Sequence, residues 1–315
     1  MMKNLSIKST LFAVIALFLT ACQTDDNTSD GPIPFTADVF NSINGKKVAF
    51  QGLTNNAVSW NWDFGDGSTS NQQNPVHTYA DSGYYTATLT ATDATGATLS
   101  KEVQLALDIT PYVLLTGGAT DDDGKTWRLS SAHSDSDYFG NTDAALSPFD
   151  GAPNPLPAGI FGAGLGMAEV YEDEFTFYFD GRYEMDLKAD NAAFSGLVYQ
   201  IVNDGGASVI NNGGADFGLC TASFTPDSDA TFSYAENAAL TVSSVYGAGG
   251  SLTFEDVTYL DFEGMAYLGL LDFERRVIIQ EINDTSMRMV MFLAASPDFI
   301  GVGTNVVILT FEAVL

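Results

Sequence analysis

The chain has 315 residues, with 40 acidic against 12 basic side chains and a net charge of −28. Such a surplus of acid excludes nucleic acid, whose phosphates need Lys and Arg partners, and polyanionic glycans held by broad positive patches. Neutral ligands stay open, and the length exceeds one typical domain, so two cores are expected.

The N-terminus decides the compartment. Lys3 and Lys8 precede an apolar run of nine residues, Leu11 to Leu19, and then Leu19-Thr20-Ala21-Cys22. Nine residues cannot cross a hydrocarbon core that needs about 20, so residues 1–21 are expected to be a cleaved export signal. Leu-Thr-Ala-Cys resembles the lipobox of bacterial lipoproteins, which implies cleavage before Cys22 and lipidation of that residue. Each methylene of a buried acyl chain adds about 0.8 kcal/mol to membrane attachment. Gln23-Thr24-Asp25-Asp26 then resembles the acidic surface-export signal of Bacteroidota lipoproteins; the bland alternative is a solvated tether. In either reading residues 22–34, poor in apolar side chains, form an acidic flexible stalk. The expected location is the outer membrane, held by the lipid anchor only and facing the cell exterior. With Cys22 acylated, Cys220 has no disulfide partner and reads as a small buried apolar residue.

Past the leader the chain reads as all-β. Short apolar–polar alternations lie between Gly, Asn, Asp and Pro clusters, as antiparallel sheets require. A first module at 35–108 contains strands at Lys47–Gln51, Ser59–Phe64 and Tyr84–Thr92. In the last, Tyr85, Ala87, Leu89 and Ala91 share one face, which predicts a small Ig-like sandwich. Trp62-Asp63-Phe64-Gly65-Asp66-Gly67, then Asn74-Pro75-Val76-His77-Thr78-Tyr79 and Gly83-Tyr84-Tyr85-Thr86-Ala87-Thr88-Leu89, resembles a polycystic-kidney-disease (PKD) domain over the whole module. Asp63 and Asp66 are expected to accept backbone N–H groups of the tight turn, Trp62 to fill the core, and His77 to lie near them in a structural role. The resemblance implies a spacer.

A second module spans 111–315. Its clearest element is a hairpin from Asp173 to Leu187. A three-residue loop, Phe179-Asp180-Gly181 with Gly181 left-handed, pairs Phe177 with Tyr183 and Phe175 with Met185 and keeps the apolar faces together; a one-residue slip would mix them. A second hairpin joins Val277–Ile282 to Met287–Phe292, and further strands are expected at Leu252–Leu260, Tyr267–Asp272 and Val306–Val314. This predicts a larger β-sandwich or jelly roll of carbohydrate-binding type, with a closed lipocalin-like barrel as the alternative.

No catalytic constellation stands out. The two histidines, His77 and His133, fall in different modules, which disfavours a His-based metal cluster, and no nucleophile elbow is present. Gly162-Ala163-Gly164-Leu165-Gly166 lacks the lysine of a phosphate loop and reads as a flexible loop. Glycoside hydrolysis needs only two carboxylates; Glu169, Glu172, Asp173 and Glu174 are the best acids for it, but they read better as a solvated strand entry. Asp121 and Asp123, in Asp121-Asp122-Asp123-Gly124, are weak calcium candidates without the ligand alternation of a calcium loop, and no other cofactor is implied.

Carbohydrate binding needs aromatic platforms with polar groups nearby. Ser130 to Tyr171 is long, rich in Gly and Pro, and carries Tyr138, Phe139, Phe149, Phe161 and Tyr171. Loops of such length are usually functional or disordered, so these five are the candidate glycan-binding residues, with plugging of the sandwich end as the alternative for each. Trp127, in an alternating strand, is expected in the core. Asp123-Gly124-Lys125-Thr126-Trp127, Tyr171-Glu172-Asp173-Glu174-Phe175-Thr176-Phe177 and Asp180-Gly181-Arg182-Tyr183 resemble the C-terminal glycan-binding part of PKD-containing surface lipoproteins of starch-utilisation-type uptake systems, over about a third of the module. That resemblance implies a non-enzymatic binder that passes polysaccharide to an outer-membrane transporter complex, and the ligand favoured here is a neutral β-glucan such as laminarin. Where that family carries a Trp pair, this chain has Phe149 and Phe161. A jelly-roll hydrolase or lyase and an adhesion subunit without a sugar site are the alternatives.

Overall fold

The computed structural model describes residues 33–149, 154–215 and 218–314. The expected signal, Cys22 and most of the stalk lie outside them.

The first group of strands is β1 (Thr36–Asn44), β2 (Lys47–Asn55), β3 (Ala57–Asp63), β4 (Thr69–Ser70), β5 (Val76–Thr78), β6 (Gly83–Asp93) and β7 (Thr98–Leu107). They form two sheets, β1-β2-β5 and β4-β3-β6-β7. The alternation along β6 is realised: Tyr85, Ala87, Leu89 and Ala91 are all buried. Trp62 is fully enclosed and packs on Phe50, ring centroids 4.9 Å apart. The Asp63 and Asp66 carboxylates accept the Gly65 and Ser68 amides, both at 2.9 Å. His77 lies 2.6 Å from Asp66 and stacks on Phe64 at 4.2 Å. Burial alone would raise the Asp66 carboxyl, but its bond to His77 and the Ser68 amide hold it below the usual range.

A short linker leads into α1 (Pro111–Thr116), which is capped by the Thr110 hydroxyl and begins with proline. Here the two groups of strands touch. Gly83 bridges to Gly118, the Thr120 hydroxyl donates to the Tyr84 carbonyl at 2.7 Å, and the Tyr84 hydroxyl donates to Asp284.

The second group comprises β8 (Lys125–Leu129), β9 (Tyr138–Asn141), α2 (Ile160–Leu165), β10 (Glu174–Phe177), β11 (Tyr183–Asp186), β12 (Ala192–Gly196), α3 (Leu197–Asp204), β13 (Val209–Asn211) and β14 (Leu219–Ser223). β15 (Phe232–Ser243), β16 (Ser251–Phe262), β17 (Val277–Ile282), β18 (Ser286–Leu293) and β19 (Asn305–Ala313) complete it. The main sheet runs β11-β10-β8-β19-β18-β17-β16-β15, with β9 added to β19, and a smaller sheet β12-β14-β13 lies apart. The architecture is a large β-sandwich whose main sheet curls until its ends meet: Arg182 bridges Thr231, and the Tyr183 amide donates to Ala230 at 2.9 Å.

The β10–β11 register pairs Phe177 with Tyr183 and Phe175 with Met185, as the apolar faces demand. Gly181 takes φ 91° in the three-residue loop. Phe177, Tyr183 and Phe232 interlock inside the curl, at 4.8 and 5.0 Å from Phe177. Trp127 is fully buried there, its indole N–H donating to Leu115 at 2.9 Å, and Cys220 is buried as expected.

β18 and β19 are buried on both faces, which their nearly continuous apolar runs reflect. Met289, Met291, Val307 and Leu309 face the main core, whereas Val290, Phe292, Val306 and Ile308 face a second, outer cluster. The β15–β16 hairpin supplies the cover for that cluster. Irregular register at Ala235/Ala238, with Asn237 and Asp256 in the left-handed region, bends the hairpin. Phe232, Leu260 and Phe262 therefore pack inside, and Leu240, Val242 and Phe254 outside.

The chain is nearly all-β, and the short helices α2 and α3, of six and eight residues, are too brief for a periodic signal. Two expectations are corrected. The glycine-rich 162–166 stretch is the C-terminal part of α2 and its left-handed cap, not a loop. Tyr267–Asp272 is irregular, because Gly269 sits at φ 69° against the Phe311 ring, where a Cβ would come within 2.6 Å.

Candidate glycan-binding site

β9 pairs with β19 so that Phe139 stands opposite Val307 and Asn141 opposite Asn305. The chain then doubles back: the Asn141 amide donates to Ser147 at 2.8 Å and the Phe149 amide to Phe139 at 3.0 Å. Asp143 fastens the turn by accepting the Ala145 and Ser147 amides at 3.0 and 2.9 Å. Burial opposes ionisation of Asp143, yet these N–H groups keep its carboxyl below the ordinary range.

This hairpin sets Phe139 and Phe149 at the border of a groove of about 350 Å³. Leu165, Leu219 and Leu293 supply apolar wall, Asn212 and Asn305 supply amides, and none of the described lining residues is charged. Phe149 is 63% exposed. An exposed ring beside side-chain amides suits a pyranose, whose C–H face stacks on an aromatic while its hydroxyls take paired donors and acceptors. The volume lies within the range of small-ligand sites.

Two more exposed rings reach this end of the sheet. Tyr246, in the β15–β16 turn, donates its hydroxyl to Asn141 at 3.0 Å and is 51% exposed. Phe299 is 50% exposed in the β18–β19 loop, whose base residues Ala295 and Asn305 line the groove. Their signal in the sequence was available: each aromatic sits in a glycine-bearing turn, Tyr246-Gly247 and Phe299-Ile300-Gly301, with no strand to pack on.

The other candidate residues face elsewhere. Tyr138 turns to the outer cluster and donates to the Leu146 carbonyl at 2.9 Å. Phe161 is fully buried and Tyr171 is 8% exposed, so neither offers a ring face to a ligand. Phe161 enters the core because α2 folds the glycine-rich segment back onto β12, against Phe194 at 4.8 Å.

Tyr171 has a different task. Its oxygen accepts the Phe161 amide at 3.2 Å and lies 2.9 Å from His133 Nε2, while His133 Nδ1 is 3.1 Å from Asp137. His133 thus bridges the Asp137 carboxylate to the Tyr171 hydroxyl through its two ring nitrogens. Asp137 also accepts the Thr310 amide and hydroxyl at 2.9 and 2.6 Å. Despite burial, these bonds keep its carboxyl low. The Asp137–His133–Tyr171 chain clasps the 130–171 segment to β19.

Among the acids considered for hydrolysis, Asp173 points inward and burial raises its carboxyl to about 8, with Asp190 and Glu169 adding to the rise. Glu174 is engaged by Lys188 at 2.7 Å. Asp121 and Asp123 stand in a turn closed by the Gly124 amide on Asp121, and no group of three metal-ligating side chains occurs among the described residues.

The PKD domain family matches residues 34–107. Those residues are a PKD domain. The same region is 34% identical over 79 residues to the collagenase ColA of Bacillus cereus, covering 25% of this chain and 7% of that protein. A microbial collagenase of Vibrio alginolyticus is 54% identical over 41 residues, covering 13% and 5%. The chain thus spans less than a tenth of either relative, and the likeness is confined to the PKD domain. The PKD1 domain of the Vibrio cholerae metalloprotease PrtV is similar at 32% identity over 24% of this chain and all of that structure, with a TM-score of 0.24. A carbohydrate-binding module of the β-sandwich superfamily matches at 11% identity over 90% of this chain and 93% of that one; its TM-score of 0.25 is too low to argue a shared fold. No described helix is long and apolar enough to cross a membrane.

Proposed function

We propose that this chain is a non-enzymatic surface lipoprotein that binds a neutral polysaccharide, the PKD domain serving as spacer and Cys22 as anchor. The observation that carries this reading is the groove beside the exposed Phe149 ring, whose described lining residues carry no charge, on a protein whose net charge is −28. A neutral polymer meets no repulsion there, whereas a sulfated or uronic one approaches against the field of the whole molecule. A β-glucan such as laminarin fits these terms, and an outer-membrane transporter complex is the recipient the sequence resemblance implies. Affinity electrophoresis of the soluble chain from residue 23 in gels containing laminarin, other neutral glucans and alginate tests it. Retardation by a neutral glucan alone, without release of reducing sugar, is the expected result. Sugar release would favour the hydrolase reading, and free migration in every gel would favour an adhesion subunit.

A further inference from the structure

A second groove lies on the opposite side of the β9 hairpin. β16 pairs with β17 only over Thr258, Tyr259 and Leu260. Beyond Thr258 the strands part, because the bend at Asn237 and Asp256 carries the β15–β16 hairpin across the outer face. The gap is about 620 Å³, and Ala144 and Leu146 of the β9 hairpin close one end. Its floor is the apolar Phe254 and Ile278, both buried, and its walls carry polar side chains from three strands.

Those walls mix donors with acceptors. Arg288 is held in place by donating Nε–H to Gln280 Oε1 at 3.0 Å and by pairing with Glu281 at 3.0 Å. A guanidinium has five N–H groups, so several remain for a ligand, as does the Gln280 amide N–H pair. Asp256 is exposed in a left-handed conformation, the kind of bulge position that re-aims a side chain. Thr253, Glu255 and Thr258 add further hydroxyl and carboxylate oxygens.

We infer that this groove is a second glycan-binding surface, holding a neutral hydroxyl-rich chain by hydrogen bonds rather than by ring stacking. The inference rests on the reading of the protein as a glycan binder. Vicinal hydroxyls both donate and accept, which matches the interleaved Arg288, Gln280, Thr258 and Asp256 groups. Glu255 and Asp256 repel an anionic polymer, and the single aromatic side chain in the lining, Phe254, is buried. The β9 hairpin separates the two grooves, with Leu146 on one side and Phe139 and Phe149 on the other. A long polymer crossing that wall meets both surfaces and gains avidity from them.

Isothermal titration of the chain from residue 23 with a short neutral β-glucan oligosaccharide tests this, using the wild type, Phe149→Ala, and an Asp256→Asn/Gln280→Ala double variant. Asparagine tolerates the left-handed backbone at 256, so the bend is preserved. The expected result is two sites in the wild type and one in each variant. A wild type with one site, abolished by Phe149→Ala and untouched by the double variant, overturns the second surface and leaves the functional reading standing. One site abolished only by the double variant upholds this groove and moves the sugar away from Phe149. No heat with any neutral glucan overturns both.

Discussion

The Phe149 amide donates to the Phe139 carbonyl across 3.0 Å, so one backbone hydrogen bond sets the spacing of the two rings that border the groove. Phe139 is half-buried and packs on the main core, whereas Phe149 stands 63% exposed. Phe149 is therefore the ring that can be altered without disturbing the fold. Phe149→Ala is expected to weaken neutral glucan binding by about 2 kcal/mol, roughly thirtyfold, while the unfolding midpoint in urea stays where it was. Titration and a urea curve on the same preparation check both halves.

Tyr171 separates structure from binding in the opposite sense. Tyr171→Phe leaves the buried Phe161 amide without its acceptor and His133 Nε2 without its hydrogen-bond partner. A loss of about 2 kcal/mol of unfolding free energy is expected, with glucan affinity unchanged at temperatures where the chain is folded. Urea unfolding and affinity electrophoresis read these two outcomes.

Asp272 makes stability depend on pH. It is buried, burial pushes its carboxyl up to about 7, and the Phe273 amide at 2.6 Å offsets only part of that cost. The unfolded chain, with a carboxyl near 3.9, loses this proton first as pH rises. The Asp272 contribution to stability is thus full below about pH 4, falls away up to about pH 7, and is flat above. Asp272→Asn removes the ionisable group. The variant's melting temperature relative to wild type should climb from pH 4 to pH 7 and then level, by up to about 4 kcal/mol in free energy. A difference independent of pH would contradict the assignment.

Cys220 should be inert in the folded protein. Burial lifts its thiol to about 12, and Asp272 nearby adds to the rise, so almost no thiolate exists at pH 8. In the chain from residue 23, which lacks Cys22, iodoacetamide should label nothing until denaturant is added, and then one thiol.

Local pattern made much of the fold legible. Strict alternation in β6 and the apolar faces of β10 and β11 each admit one register, and the Trp62 to Gly67 turn is specific enough to place the PKD domain. The candidate site was harder to read because composition says that a loop aromatic has no strand of its own, not whether something else covers it. Phe161 and Tyr171 are covered by the six-residue α2 and by a histidine thirty-eight positions from Tyr171 in the chain. Phe149 is not. Tyr246 and Phe299 escaped because they stand far from the long loop in sequence and reach its neighbourhood only through the curl of the sheet.

A sugar covering the Phe149 ring is tested most directly by NMR of the chain from residue 23 titrated with a neutral β-glucan oligosaccharide. The Phe149 ring and the Asn212 and Asn305 side-chain amides should shift together and saturate at one affinity, with Phe161 and Tyr171 unmoved. Saturable binding that leaves Phe149, Asn212 and Asn305 unshifted would contradict it.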